Sequence, residues 1–256
     1  MHAYLRHLRS GPIRAALVLA LLAGPGSLAV GCAGRTGPGG QPGTPGLAAG
    51  PLSEERLRLA VLSLADLPAG WAADTPDAAR RRGIGVPEPA EGPCRALFRD
   101  PPGTGGLARF ARTEVGPFVV ARTGTHTGAA DARDALASFR AAAGQCPAFP
   151  VTEGPDAGGR EVMYHAETLD APRLGDESVA VRFVRTESGS RAGTVVSEAV
   201  YARLGAHTVH LARAGREDSD ARGIVPLARL ALTKLRTVAA GGTPSPAGSF
   251  PGATRL

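Results

Sequence analysis

Lysine is nearly missing from this chain: of its 29 basic residues only Lys234 is a lysine, and the other 28 are arginine. With Ala, Gly, Pro and Val in excess, that bias reads as GC-rich coding and not as a demand for arginine chemistry. No apolar run is long enough to stay in a membrane. The longest candidate, Ala15 to Val30, is 16 residues interrupted by Gly24-Pro25-Gly26, whereas a spanning helix needs about 20. The signatures HExxH, GxSxG, SxxK and the P-loop are absent, which removes the zinc-peptidase, serine-nucleophile and nucleotide-phosphate readings that rest on them. No CxxC occurs, and neither Cys94 nor Cys146 has a histidine within ten residues. No catalytic residue, metal or cofactor is therefore expected.

What is present begins with an address. Arg6, Arg9 and Arg14 form a basic head, Ala15 to Leu22 an apolar segment, and Leu28-Ala29-Val30-Gly31-Cys32 a small-residue close. This is the layout of a secretory signal peptide. Ala29-Val30-Gly31-Cys32 also resembles the lipobox of bacterial lipoproteins, with Ala29 where Leu or Val is commoner. In that resemblance Cys32 is acylated through its thiolate, the nucleophile such chemistry needs, and becomes the new N-terminus. Each acyl CH₂ buried contributes about 0.8 kcal/mol, so a multiply acylated Cys32 would hold the protein on the outer face of the cell membrane. The alternative is a plainly secreted protein. Removing residues 1–31 takes away three arginines and no acid, so 26 basic residues remain against 23 acidic ones and the formal charge of +6 becomes +3. Nucleic acid is not implied.

The expected organisation is a leader over 1–31, a disordered Gly/Pro-rich tether over 32–50, one folded domain over 51–238 and a disordered tail over 239–256. The tether carries a single charge, Arg35, and lacks the apolar surface needed to offset its ordering entropy. With Cys32 assigned to the anchor, Cys94 and Cys146 are an even pair in an oxidising compartment, where a disulfide is the expected state. Closing about 52 residues would contribute roughly 4 kcal/mol in the chain-entropy picture.

Within the domain, Ser53 is a helix N-cap with Glu54 and Glu55 in the first turn, and Leu57, Val61 and Leu64 predict a helix that runs to Leu67-Pro68. Pro68-Ala69-Gly70 then turns into Trp71, the only tryptophan, which reads as a core plug or, alternatively, a ligand platform. Thr75 to Gly106 reads as loop, with Arg80-Arg81-Arg82 in solvent and only Cys94 to Phe98 packed. Strands are expected at 107–115, 118–125, 161–168, 178–186, 194–204 and 207–213, with helices at 129–143 and 226–238. The 129–143 helix has Ala132, Leu136, Phe139 and Ala143 as its inner stripe. The fold class is therefore α+β: an antiparallel sheet of about six strands flanked by three helices, with one disulfide and a possible central cleft.

Two polar groupings could carry chemistry. His207 and His210 have a metal-like spacing, but three residues apart on a strand they face opposite ways. Asp176 and Glu177 at the entrance to a strand could act as an acid/base pair with a nearby histidine or bind a cation. The alternative is that Asp176 and Ser178 bond backbone at a turn and leave Glu177 in water.

Leu64-Ala65-Asp66-Leu67-Pro68-Ala69-Gly70-Trp71, the Cys94 and Cys146 pair around a helix, Leu174-Gly175-Asp176-Glu177-Ser178 and the closing helix together resemble the PknH-like extracellular sensor domain of actinobacteria. The resemblance spans about Leu57 to Val238. It implies an antiparallel sheet with flanking helices around a cleft, to which Trp71, Asp176 and Glu177 would contribute, and a role in binding an extracellular ligand. The chain lacks the second cysteine pair of the kinase-linked members. A tethered domain that binds a small ligand or an envelope protein is the leading expectation; the alternatives are an extracytoplasmic hydrolase using Asp176 or Glu177, and a structural or adaptor lipoprotein.

Overall fold

The computed structural model describes residues 50–90, 92–101, 103–155, 159–186, 194–217 and 223–246. The leader, Cys32, residues 33–49 of the expected tether and residues 247–256 of the expected tail lie outside the described residues. Among the described residues, five α-helices and eight strands follow one another as α1 (Glu54–Ala60), β1 (Ala72–Ala73), α2 (Pro76–Arg82), α3 (Gly92–Phe98), β2 (Thr104–Ala111), β3 (Phe118–Thr125), α4 (Ala129–Gly144), β4 (Ala148–Glu153), β5 (Arg160–Glu167), β6 (Glu177–Thr186), β7 (Val195–Leu204), β8 (His207–Arg216) and α5 (Ile224–Ala239).

All eight strands join one antiparallel sheet in the order β1-β2-β3-β8-β7-β6-β5-β4. The α+β class is thus as read from sequence, with two more strands and two more helices. Helices α1 and α5 bury one face of the sheet over Val119, Ala121, Val200, Val209 and Leu211. Helices α3 and α4 bury the other over Phe183, Ala199, Tyr201 and Ala212. A half-buried β6 was expected from its alternation. It is so: Phe183 is buried in the α3/α4 core with Val179 and Val181 partly buried beside it, and Ala180 packs partly buried against the other core.

The departures from the sequence reading have local causes. Helix α1 stops at Ala60 because Val61 turns extended, and Ser63 starts a separate 3-10 turn, Leu64–Asp66. There Asp66 Oδ2 accepts from both the Ser63 N–H and the Ser63 hydroxyl, each at 2.8 Å. Leu64, expected on the buried stripe, is exposed. Helix α2 replaces the expected loop. Thr75 caps it by accepting from the Ala78 N–H at 3.1 Å, Pro76 occupies its first turn, and Gly83 closes it in the left-handed conformation. β4 was missed because Pro150 interrupts it. Proline removes a ladder donor and is confined to positions such as an edge strand, and β4 is the sheet's edge. β2 ends at Ala111, short of Val115, where the chain turns with the Thr113 hydroxyl donating to Gly116 O at 2.6 Å. In α4 the innermost residues are Ala132, Leu136, Phe139 and Ala142, with Ala143 partly buried. The end of α5 is tied down beyond Val238: Arg56 donates to Val238 O at 2.7 Å and Gly242 O at 3.0 Å.

Cys94 in α3 and Cys146 after α4 form a disulfide, with the Cα atoms 5.0 Å apart. It fastens α3 to the end of α4.

Candidate functional site

The main concavity is built from a short helix, a glycine and two ends of the sheet. Helix α2 is anchored by Arg82, whose guanidinium meets the Asp74 carboxylate at 2.8 and 3.3 Å and lies 4.3 Å over the Phe118 ring. Both partners of the pair are nearly shielded from water, so Arg82 is a fixed strut and not the solvated charge expected of Arg80-Arg81-Arg82. Its Nε also donates to Ile84 O at 3.1 Å, which directs the chain out of the helix. Gly83 then accepts from the Gly154 N–H at 2.7 Å, linking α2 to the end of edge strand β4. Gly83 has φ +71°, and a Cβ there would stand 2.0 Å from the Gly154 carbonyl carbon. Only glycine allows that approach.

Beneath the strap Gly83–Ala90 lies a cleft of about 610 Å³. Ala79, Ile84, Val86 and Pro87 supply an apolar wall, Val151 of β4 the wall opposite, and Arg109 of β2 reaches in from the other end of the sheet. Strands β2 and β4 stand six places apart in the ladder, so the sheet curls to bring both to one cleft. The volume falls in the range of small-molecule sites, which are mostly apolar with a few placed polar groups. At the rim Glu153 is already engaged, by Arg185 at 2.7 Å and by the Tyr164 hydroxyl at 2.9 Å.

A second recess of about 300 Å³ adjoins the first and shares Glu88, Ala90 and Arg109 with it. Among the described residues, Arg95, Arg99, Arg109 and Arg122 face it against the carboxylates of Glu88 and Asp100. Leu107 pairs with Arg122 and Arg109 with Val120, so Arg109 and Arg122 are diagonal neighbours on one face of the β2-β3 hairpin. Arg122 is buried, bonded to Asp100 through Nε and to Phe98 O through Nη2 at 3.0 Å. Burial pushes the Arg122 guanidinium below its ordinary value; Asp100 opposes that, and the like charge of Arg109 adds to it. Next to Arg122 across the β3-β8 ladder is His210, fully buried, whose Nε2–H donates to Leu97 O at 2.8 Å. Burial, helped by the charge of Arg122, lowers its pKa to about 3, so the ring is neutral.

The residues singled out from sequence lie elsewhere. Trp71 packs half-buried against the α1/α5 core just before β1, as the core-plug reading expects. Asp176 Oδ2 accepts from the Gly205 N–H at 2.8 Å and from Arg203 at 3.0 Å. Glu177 meets Arg203 at 3.3 Å, with Arg133 and Arg140 at 3.8 and 3.6 Å. Ser178 accepts from the Leu174 N–H at 3.0 Å. The structure thus brings Asp176 and Glu177 together around Arg203, with β1 and β6 five strands apart, and neither Trp71 nor these acids line the two recesses. His207 and His210 do face opposite ways: His207 Nδ1 meets Thr125 Oγ1 at 3.0 Å, while His210 lies against Phe139 and Tyr201 of the α3/α4 core. Among the described residues no set of three or more His, Cys, Asp or Glu side chains is arranged to hold a metal ion, and no helix is long and apolar enough to cross a membrane.

Comparison with solved structures finds a likeness. The chain is similar to the extracellular domain of PknH from Mycobacterium tuberculosis. The likeness covers 73% of this chain and 97% of that one, at 13% sequence identity and a TM-score of 0.45. No protein-family model matches the chain, and no curated protein matches it either. No sequence family is thereby shown for the chain.

Sequence reasoning missed Arg109 and Arg122 because each sits in an otherwise apolar strand, where a single arginine reads as a solvent-facing position. The available signal was Phe118-Val-Val-Ala-Arg122 itself: a strand buried on both faces has no solvent-facing side for its arginine.

Proposed function

We propose that this protein is an extracytoplasmic binding domain of the sensor type, held at the outer face of the membrane by acylated Cys32, that takes a small ligand into the cleft under the Gly83–Ala90 strap and does no chemistry on it. The observation that carries the reading is the cleft itself: a concavity of about 610 Å³ with an apolar wall, flanked by a glycine-locked helix on one side and the curled sheet on the other. The extracytoplasmic setting is supported by the leader layout and by the Cys94–Cys146 disulfide, which oxidising compartments favour. The hydrolase reading through Asp176 and Glu177 gains nothing from the geometry, since both carboxylates are held by arginines and, among the described residues, no histidine partners them.

A thermal-shift screen of metabolites and wall fragments on the full chain tests the binding role. A ligand at a hundred times its Kd stabilises by about 2.7 kcal/mol, and that shift should vanish in Ala79→Trp, which fills the cleft. A shift of equal size in the variant would remove the cleft from the reading. The anchor has its own test: a fatty-acid probe fed to expressing cells should label the wild type but not Cys32→Ala, and equal labelling of both would refute it.

A further inference from the structure

The second recess is lined by guanidinium donors that are left unmet. Among the described residues, Arg109 Nε and Arg122 Nη1 are buried without a hydrogen-bond partner, where such groups are normally satisfied. Both line the same 300 Å³ space, with Arg122 only 4% exposed. Two further guanidiniums, Arg95 and Arg99, stand at its mouth. Of the two carboxylates there, Asp100 is bound to Arg122. Glu88 is 3.7 Å from Arg109 Nη1 with its side chain 78% exposed, so it holds Arg109 weakly. Among the described residues, four positive charges against two leave an excess of two facing one small volume. Buried guanidinium donors of this kind match the oxygens of a phosphate or carboxylate, which they bind in a forked, charge-assisted geometry.

We propose that this recess is an oxyanion site: it holds the phosphate or carboxylate of a ligand whose apolar body lies in the adjoining cleft. Arg109 borders both spaces and is the residue that joins head to body; Arg122 receives the oxyanion on Nη1 while Asp100 keeps its guanidinium in place. Glu88 is the internal competitor that the ligand displaces. The proposal rests on the reading of the main cleft as a ligand site and adds the ligand's chemical class.

Calorimetric titration of the full chain with octyl phosphate, octanoate and octanol tests it. The expected result is binding of octyl phosphate, octanoate or both, with octanol weaker by about tenfold or more, since hydrogen bonds to charged groups contribute on that scale. Arg109→Gln should lose about tenfold or more toward the anions and leave octanol unchanged, and Glu88→Gln should tighten the anions. Both side chains have solvent access, so these variants should fold, and added salt should weaken anion binding to the wild type toward the octanol level. Equal affinity for octanol and the two anions, no binding of either anion, or an unaltered Arg109→Gln overturns the proposal. The two readings separate through Ala79→Trp. If all three probes bind alike and lose binding in Ala79→Trp, the cleft stands and the oxyanion site falls. If the anions bind Ala79→Trp undiminished but are lost from Arg109→Gln, the oxyanion site stands and the cleft falls.

Discussion

Lys234, the only lysine of the chain, is buried in α5 with its ammonium on Asp66, which is itself 1% exposed. Burial alone would raise the pKa of Asp66, but the Lys234 ammonium and the two Ser63 donors outweigh it and hold the carboxylate below its ordinary value. Removing one partner of a buried pair costs about 3–5 kcal/mol, because the other charge stays desolvated, whereas replacing both is often neutral. Lys234→Met should therefore lose about that much in urea unfolding, and the double variant Asp66→Asn/Lys234→Met should recover most of it; a double variant no better than the single would contradict the pairing. His210 makes a second residue-scale prediction. Its folded pKa, about 3, lies below the unfolded 6.5, so the unfolded chain binds the extra proton. Its contribution is complete above pH 6.5 and is lost by about 1.4 kcal/mol per pH unit as pH falls toward 3. His126, also lowered by burial, titrates in the same sense, so the measurement is the difference between wild type and His210→Gln. Parallel stability curves from pH 7 to pH 4 would count against it.

Among the elements, α2 and its glycine decide the shape of the cleft. Adding a Cβ at Gly83 brings it to 2.0 Å from Gly154 C at a positive φ, so Gly83→Val must push the strap away from β4 and break the 2.7 Å bond from Gly154. The Gly154 amide should then lose its protection in hydrogen exchange, and stability should fall by about 1–3 kcal/mol; an amide as protected as in the wild type would argue against the lock. The same element shows where sequence reading succeeds and fails. Long periodic segments such as α4, α5 and β6 to β8 were legible because burial of a repeating face wrote their pattern, and their observed ends fall within about three residues of the expected ones. α2 was written too, in Thr75, Pro76, Asp77 and Gly83, but seven residues with no buried apolar stripe carry only cap signals. The break after Ala60 was not legible, because Leu64 continues the apolar spacing of α1 and only the short Ser63–Asp66 cap marks the new turn. For the candidate site the same holds: Arg109 and Arg122 acquire meaning only when the sheet sets them diagonally over one recess.

For the molecule as a whole, the disulfide joins the helix that walls the oxyanion recess to the end of the longest helix on that face. Cys94→Ala/Cys146→Ala should lose about 2–5 kcal/mol. Non-reducing peptide mapping of the wild type should recover residues 94 and 146 as one linked species; free thiols at both would refute the bridge. The two edges of the sheet have a different consequence. β1 is only two residues long, and β4 carries Pro150 in its middle. An open sheet normally presents a row of unpaired backbone groups on which a second chain can add a strand, and short or proline-bearing edges blunt that template. The two edges of this sheet therefore offer a second chain little to pair with, and the domain resists edge-to-edge self-association.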